Sequence, residues 1–542
     1  MAKPFFITTA IDYTNGAPHI GHAYEKLLAD VLARYHRLRG EDVFFLTGVD
    51  QHGQKVQQSA EKEGVAPQAF VDGITRKFVA LWEKLDVRYD RWAATTDEQH
   101  KRCVQGILQR LLNEGQLYKD KRAGYYSVRQ EQFLTDKERN EEGEFGPEWG
   151  EVEFREEENY YFRLEEHKAW LLALIDRKSA EGTPLVVPDF RVSELRNAVE
   201  KLSGDLCVSR PKARLSWGIE FPFDPEFVTY VWFDALVNYI SFAGYDPDPE
   251  AANSDFSKLW PALHVIGKDI LIPAHGVYWP IMLRALGFSD EQMPTLLVHG
   301  WWNISGAKMS KSVGNAVDPD ALADGFGREA LRYYLMSDIA TGKDADFSEE
   351  RLVQRYNSDL ANSLGNLLNR TLSMAGKYRN GMVRRISKTS AASDPGSGAA
   401  GKELLDLEAH VTAHTLPAYA ASLAEGAVSG AIDEINNLAS LCNQLIDAAK
   451  PWSLAKNPDE ASRLDAVLYD LAESLRIIAI LISPLLPKAA AAMLVQLQWQ
   501  NDAAGNFPAF RFGDAAWGGL PDGHRLGNPV PLFPRIEPAA GR

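Results

Sequence analysis

Residues 8–35, TTAIDYTNGAPHIGHAYEKLLADVLARY, decide how the rest of the chain is read. His19 and His22 sit three apart around Gly21, where an irregular segment gives way to helical periodicity. Upstream, Phe5–Ala10 is a short apolar run rich in β-formers and predicts a buried strand. Downstream, Tyr24, Leu27, Leu28, Val31, Leu32, Tyr35 and Leu38 recur at helical spacing, and Gly40 is placed to end the helix. VFFLTGVDQHG then predicts a second strand ending at Asp50. Strand, loop, helix and strand in that order open a parallel nucleotide-binding sheet.

A helix N-terminus presents unpaired N–H groups and a partial positive charge, so it attracts phosphate. Two imidazoles at i and i+3 can point from that turn toward one ligand and donate hydrogen bonds where charge develops on a transferring phosphoryl group. Gly21 keeps a Cβ out of the path of a nucleotide. HxGH alone fits a solvated pair of loop histidines equally well. A second motif narrows the choice: GAKMSKSVGN places Lys308 and Lys311 in a small, glycine-bracketed loop after an apolar strand, suited to cations that clamp a polyphosphate. KMSKS about 290 residues after HIGH, both on loops of one α/β fold, is a specific pair.

The chain has 542 residues, too many for one core, with 45% apolar and 24% charged residues, so it reads as a globular protein of several domains. The apolar runs Ile477–Ile482 and Ala489–Val495 are far shorter than the roughly 20 residues of a membrane span, and MAKPFFITTA lacks the pattern of a secretory signal. No membrane association is expected. Cys103, Cys207 and Cys442 are scattered and odd in number, which predicts reduced thiols in a cytoplasm and excludes a four-cysteine zinc site. A net charge of −16 argues against a nucleic-acid partner. Half of that excess, however, lies between Glu138 and Glu158, where ten glutamates face only Arg139 and Arg155, and this run reads as a solvated surface excursion. KYRNGMVRRISK, from Lys377 to Lys388, leaves room for a basic face elsewhere.

From about Tyr118 to about Phe227 short strands and turns interrupt the nucleotide-binding pattern, which resumes at VTYVWFDALVNYI and ALHVIGKDI. From Arg328 the chain reads as almost wholly helical through Leu494, broken by the flexible connection SKTSAASDPGSGAAGK.

HIGH and KMSKS are the two signatures of class I aminoacyl-tRNA synthetases, and the chain resembles the methionyl-tRNA synthetase family in particular. The resemblance is carried by YTNGAPHIGHAY, FLTGVDQHGQK, YVWFDALVNY, VIGKDI, HGVYWPIML, VHGWWNISGAKMSKSVGN, EALRYYL, NSLGNLLNR and PLFPRIE, spread over nearly the whole length. It implies an α/β fold: a Rossmann-type parallel-sheet catalytic domain in two halves (1–117 with HIGH, 228–322 with KMSKS), a connective-peptide insertion (118–227), a stem-contact segment (323–364) and an all-α anticodon-binding domain (365–542).

The same resemblance implies a methionine slot of Ala10, Ile11, Tyr13, Trp232, Ala235, Tyr239, Ile270, His275 and Trp279, apolar and aromatic as a thioether requires, with Asp50 holding the α-ammonium. His19, Gly21 and His22 would face the α-phosphate, Lys308 and Lys311 the β- and γ-phosphates, and Gly267 and Asp269 the nucleoside. Asn366, Arg370 and Trp452 would read the anticodon. The implied reaction makes methionyl-adenylate from ATP, accompanied by Mg²⁺, and transfers methionine to tRNA(Met), the initiator tRNA included. The sequence departs from the family pattern in places. Asp12 and Leu236 stand where proline is common, KDILIPAH is one residue longer than usual, and the insertion has no zinc-knuckle cysteines, so no structural zinc is expected. The chain ends soon after PLFPRIE, from which a monomer is expected.

Within the class, isoleucyl, leucyl and valyl enzymes need a larger insertion for editing, and the cysteinyl enzyme needs zinc ligands. Outside it stand a small-molecule nucleotidylyltransferase, which has no use for more than 200 helical residues, and a non-catalytic tRNA-binding paralogue, which both intact motifs disfavour.

Overall fold

The structure is a computed structural model that describes residues 3–537 apart from 128–131, 135–138, 141, 249, 305, 309–315, 387–404 and 501–509. The KMSKS loop from Met309 onward, Lys311 included, and the connection at 387–402 therefore lie outside the described residues.

Strand β1 (Phe5–Thr9), helix α1 (Ile20–Leu38) and strand β2 (Val43–Asp50) form the opening unit that the sequence predicts. β3 (Arg91–Ala94) and the two residues Asp12–Tyr13 both pair with β2. The sheet is completed by the edge strand β4 (Val186–Val187), β5 (Leu263–Gly267) and β6 (Thr295–His299), in the order β2-β1-β5-β6-β4, all parallel. Strand order reverses between β1 and β5. In open α/β sheets ligands bind beyond the carboxyl ends of the strands at such a reversal, which here means after Thr9, Asp50, Gly267 and His299.

β4 comes from inside the segment expected to be an insertion, so that segment is stitched into the sheet it interrupts. Its remainder is built on a long antiparallel ribbon, Leu117–Ser127 against Val152–Phe162. The glutamate-rich strand is not simply solvated. Lys121 Nζ lies 2.7 Å from Glu156, Lys119 Nζ 3.1 Å from Glu158 and Arg214 2.9 Å from Glu157, so basic neighbours offset much of its charge.

Periodicity describes α1 as a helix with one apolar face, yet Glu25, Lys26, Ala29, Asp30 and Ala33 are buried as well. The second face is covered by the helical region that follows the sheet, through helices Arg328–Ser337 and Val428–Ala449; the same region holds Ala461–Ile482 and a continuous helical rod at 349–379. Tyr35 on α1 meets Tyr419 and Phe512 edge-on at 5.9 and 6.0 Å.

A buried guanidinium fixes this junction. Arg332 donates to Asp30 Oδ2 at 2.7 Å, to Leu85 O at 3.0 Å, to Leu485 O at 2.7 Å and to Pro484 O at 3.2 Å, joining α1, the turn before β3 and the helical region. Removing one partner of a buried pair strands the other charge. Asp30→Ala should therefore cost about 3–5 kcal/mol of stability, read as a fall in the thermal unfolding midpoint, with the surface pair Arg196–Asp176 as a control whose loss changes little.

Candidate active site

His19 is the N-cap of α1, and the two motif histidines cap the helix reciprocally. His19 Nδ1 accepts from the Gly21 N–H at 3.1 Å, and His22 Nδ1 accepts from the His19 N–H at 3.0 Å. The rings lie 3.8 Å apart, centroid to centroid. Each Nδ1 is engaged as an acceptor, so in the neutral ring the proton sits on Nε2. The caps thus fix two tautomers whose N–H groups lie on the edges away from the helix backbone. Gly21 has a local task beyond the one expected of it: a Cβ there would stand 3.0 Å from His19 Cε1 and 3.1 Å from its Nδ1, so the glycine leaves room for the folded-back ring. Gly21→Ala should uncouple the cap and lower activity while leaving the sheet intact.

A cleft of about 390 Å³ opens beyond the strand ends. Of the residues named from the sequence, Ala10, Ile11, Tyr13, His19, Gly21, His22, Asp50, Trp232, Ala235, Tyr239, Gly267, Asp269, Ile270 and His275 line it. Trp279 does not. It is wholly buried behind Tyr239, with ring centroids 5.8 Å apart, and donates its indole N–H to His264 Nε2 at 3.1 Å. Lys308 pairs with Asn303 in a short antiparallel strand whose far side leads into the undescribed loop. Asp12, Glu25, Asn238, His299, Trp301 and Trp302 also line the cleft without having been singled out as ligand contacts. For Glu25 and His299 a signal was present, since one lies six residues into the HIGH helix and the other ends the strand before KMSKS. A larger cavity, about 1230 Å³, lies at the opposite ends of β1, β5 and β6, away from this chemistry.

The inner end of the cleft is neutral although it holds two histidines. His275 Nδ1 lies 2.9 Å from Ile270 O and must carry the proton, so Nε2 accepts from Tyr239 OH at 2.7 Å. Burial pushes the His275 pKa down to about 4 and that of Tyr239 well above its usual value. His264, one layer deeper, accepts from Trp279 on Nε2 and meets Thr8 Oγ1 at 2.7 Å on Nδ1, and burial holds it well below the usual histidine range. An apolar slot ending in an uncharged hydroxyl–imidazole pair suits a polarizable, uncharged side chain. The segment Leu271–Tyr278, where one residue more than usual is expected, is kinked at Ile272, whose backbone is extended (φ −112°, ψ 128°), and Ile270 stays at the cleft wall.

At the other end of the slot, Asp50 is steadied by the His52 N–H at 3.4 Å and by Thr95 Oγ1 at 3.5 Å. His52 donates to Asp234, whose second oxygen accepts from His100 at 2.8 Å. Trp217, from the segment between β4 and β5, donates its indole N–H to Gln51 O at 2.5 Å. The loop after β2 is thereby held from both sides.

In the helical region Asn366 is exposed, and Arg370 reaches Asp447 at 3.2 Å. Trp452 is 40% exposed rather than buried between helices, in a turn that follows Lys450 at φ 50°. Among the described residues there is no cluster of three or more histidine, cysteine, aspartate or glutamate side chains able to hold a metal ion, and no helix long and apolar enough to cross a membrane.

A Rossmann-type sheet with a histidine-capped helix at its switch point, followed by a helical region, defines the class I aminoacyl-tRNA synthetases. The profile of class I tRNA synthetases (M) matches residues 5–143 and 149–372, and that of the anticodon binding domain of methionyl tRNA ligase matches 395–540. A methionine–tRNA ligase of Deinococcus radiodurans is 41% identical across 99% of this chain and 75% of its own length, and one of Bacillus subtilis is 39% identical across 98% and 78%. Among solved structures, Mycobacterium tuberculosis methionyl-tRNA synthetase in complex with methionyl-adenylate superposes with a TM-score of 0.85 at 36% identity, covering 98% of this chain and all of that one. The chain belongs to the methionyl-tRNA synthetase family of class I.

The neutral His275 ties stability to pH. Its folded pKa of about 4 lies below the unfolded value of about 6.5, so the unfolded chain binds the proton preferentially between them. The stabilisation is complete above pH 6.5 and is lost as the pH falls toward 4. Lowering the pH from 7.5 to 5 should cost the wild type about 2 kcal/mol more than His275→Gln, measured by denaturant unfolding.

Proposed function

We propose that this chain activates L-methionine with ATP and transfers it to tRNA(Met), initiator tRNA included. The observation that carries the reading is the cleft at the strand reversal, where tautomer-locked donors at a helix N-terminus meet an uncharged aromatic slot. Methionine enters with its thioether toward Tyr239 and His275, flanked by Trp232, and its ammonium toward Asp50. The attacking group is the substrate's own carboxylate, already ionised at neutral pH, so the first step needs no general base. A carboxylate oxygen bonds to the α-phosphorus while the bond to the bridging α–β oxygen breaks and pyrophosphate leaves. His19 and His22 donate to the α-phosphoryl oxygens as their charge shifts, Gly267 and Asp269 hold the ribose side, and Lys308 and Lys311 take the β- and γ-phosphates of ATP, which enters as its Mg²⁺ complex. Methionine then passes from the adenylate to the terminal adenosine of tRNA, first to the 2′-hydroxyl, with AMP as leaving group.

The domain limits 1–117, 118–227, 228–322, 323–364 and 365–542 belong to this reading, as do a cytoplasmic monomer and an insertion without zinc. Support for the last is the lack of any cysteine or histidine between Lys121 and Arg163. Elemental analysis of the purified protein should find no stoichiometric zinc. Asn366, Arg370 and Trp452 are proposed to read the anticodon, since unpaired bases stack on an exposed indole and pair their edges with amide and guanidinium groups.

Methionine-dependent ATP–pyrophosphate exchange tests the adenylation half. His22→Ala and Lys311→Ala should each lose roughly 10²–10³ in exchange rate with little change in melting temperature, and normal exchange in both would refute the assignment. For the tRNA half, Trp452→Ala should lower kcat/KM for aminoacylation by about tenfold to a hundredfold while exchange is retained. A joint fall of both activities with the melting temperature would make Trp452 a structural residue instead.

A further inference from the structure

At and behind the cleft wall lies a group of charges to which the proposed steps assign no role. Lys26 is wholly buried on α1, and each N–H of its ammonium has an acceptor: Ala10 O at 2.9 Å, Asp12 Oδ1 at 2.6 Å and Glu25 Oε1 at 2.8 Å. The other oxygen of Glu25 lies 3.2 Å from His299 Nε2. Asp12 is one of the residues expected to depart from the family pattern, and in the structure it is paired with Lys26. A carboxylate in this wall is held by a lysine reaching across from the HIGH helix.

We propose that Lys26 is a positioning residue that bolts the methionine-contacting segment Ala10–Tyr13 to the first turns of α1, so that the amino-acid slot and the phosphate-binding histidines keep one fixed separation. The proposal rests on the assignment of the cleft to methionine and ATP. Ala10 and Ile11 follow β1 directly and wall the slot, while His19 and His22 stand on the turn before Lys26. The hydrogen bond to Ala10 O is the element of the group that acts on geometry. The bond to Asp12 balances charge, and Glu25 links the pair to the end of β6. Attack of the carboxylate on the α-phosphorus needs both substrates placed to within about an ångström, so slack between the two walls costs binding of the substrate that the displaced wall contacts.

Charge balance and positioning are separable. Lys26→Met takes their lysine from two buried carboxylates and should fold poorly. Asp12→Asn/Glu25→Gln/Lys26→Met removes the lysine and both carboxylate charges it faces, and should melt close to the parent. In pyrophosphate exchange this triple variant should show a KM for methionine raised roughly tenfold, with the KM for ATP within about twofold. Were its methionine KM to return to the parental value together with its melting temperature, Lys26 would only neutralise the two carboxylates and the proposal would be wrong. Failure of the triple variant to fold would also overturn it, because neither carboxylate then keeps a charge that the lysine had balanced. Absence of methionine-dependent exchange in the parent protein is a different result and would refute the functional reading itself.

Discussion

The reciprocal cap between His19 and His22 is the constraint on which the site depends. It sets where α1 begins, and the N-terminus of α1 stands at the reversal between β1 and β5, so the same two hydrogen bonds end the loop, orient the helix and choose the tautomer of both rings. A cap made by serine or aspartate would stabilise the helix as well. It would not place two imidazole rings at the N-terminus of the helix.

Around that point the protein keeps its charges in closed pairs. Asp234 is shared by two histidines, Arg332 donates to one carboxylate and three carbonyls, and Lys26 has an acceptor for each N–H. Buried groups satisfied in this way specify geometry more than they add stability. The slot between them is left uncharged, the condition for holding a thioether by contact and polarizability. Lining and rigidity are thus assigned to different layers: neutral aromatic groups line the slot, and paired ions behind them set where those groups stand.

Much of this was legible in the sequence because its signals are local. The β1–α1–β2 unit follows from two periodicities and a glycine, and the HIGH spacing places both histidines on one turn. The slot residues Trp232, Ala235 and Tyr239 follow from a motif on a single helix. What was not legible depends on long-range packing. Nothing in Val186–Val187 announces that two residues inside an insertion will close the parallel sheet. Trp279 lies behind the slot rather than in it because Tyr239 and His264 occupy the space between, a matter of depth that spacing cannot encode. Likewise Glu25 and Lys26 look like the solvent face of an amphipathic helix until the segment after β1, Trp82 and the end of β6 close around them.

That double covering of α1 has a consequence for how the sequence can vary. An ordinary surface helix has one side where almost any polar residue is tolerated, and drift accumulates there. Along most of α1 no such side exists: outward positions such as Asp30 and Ala33 are pressed against other elements, as are the inward ones Leu27 and Leu28. A substitution at nearly any point must therefore be accommodated by a different element, as the charge of Lys26 is accommodated by Asp12. The helix that carries the signature should change by coupled exchanges rather than single steps.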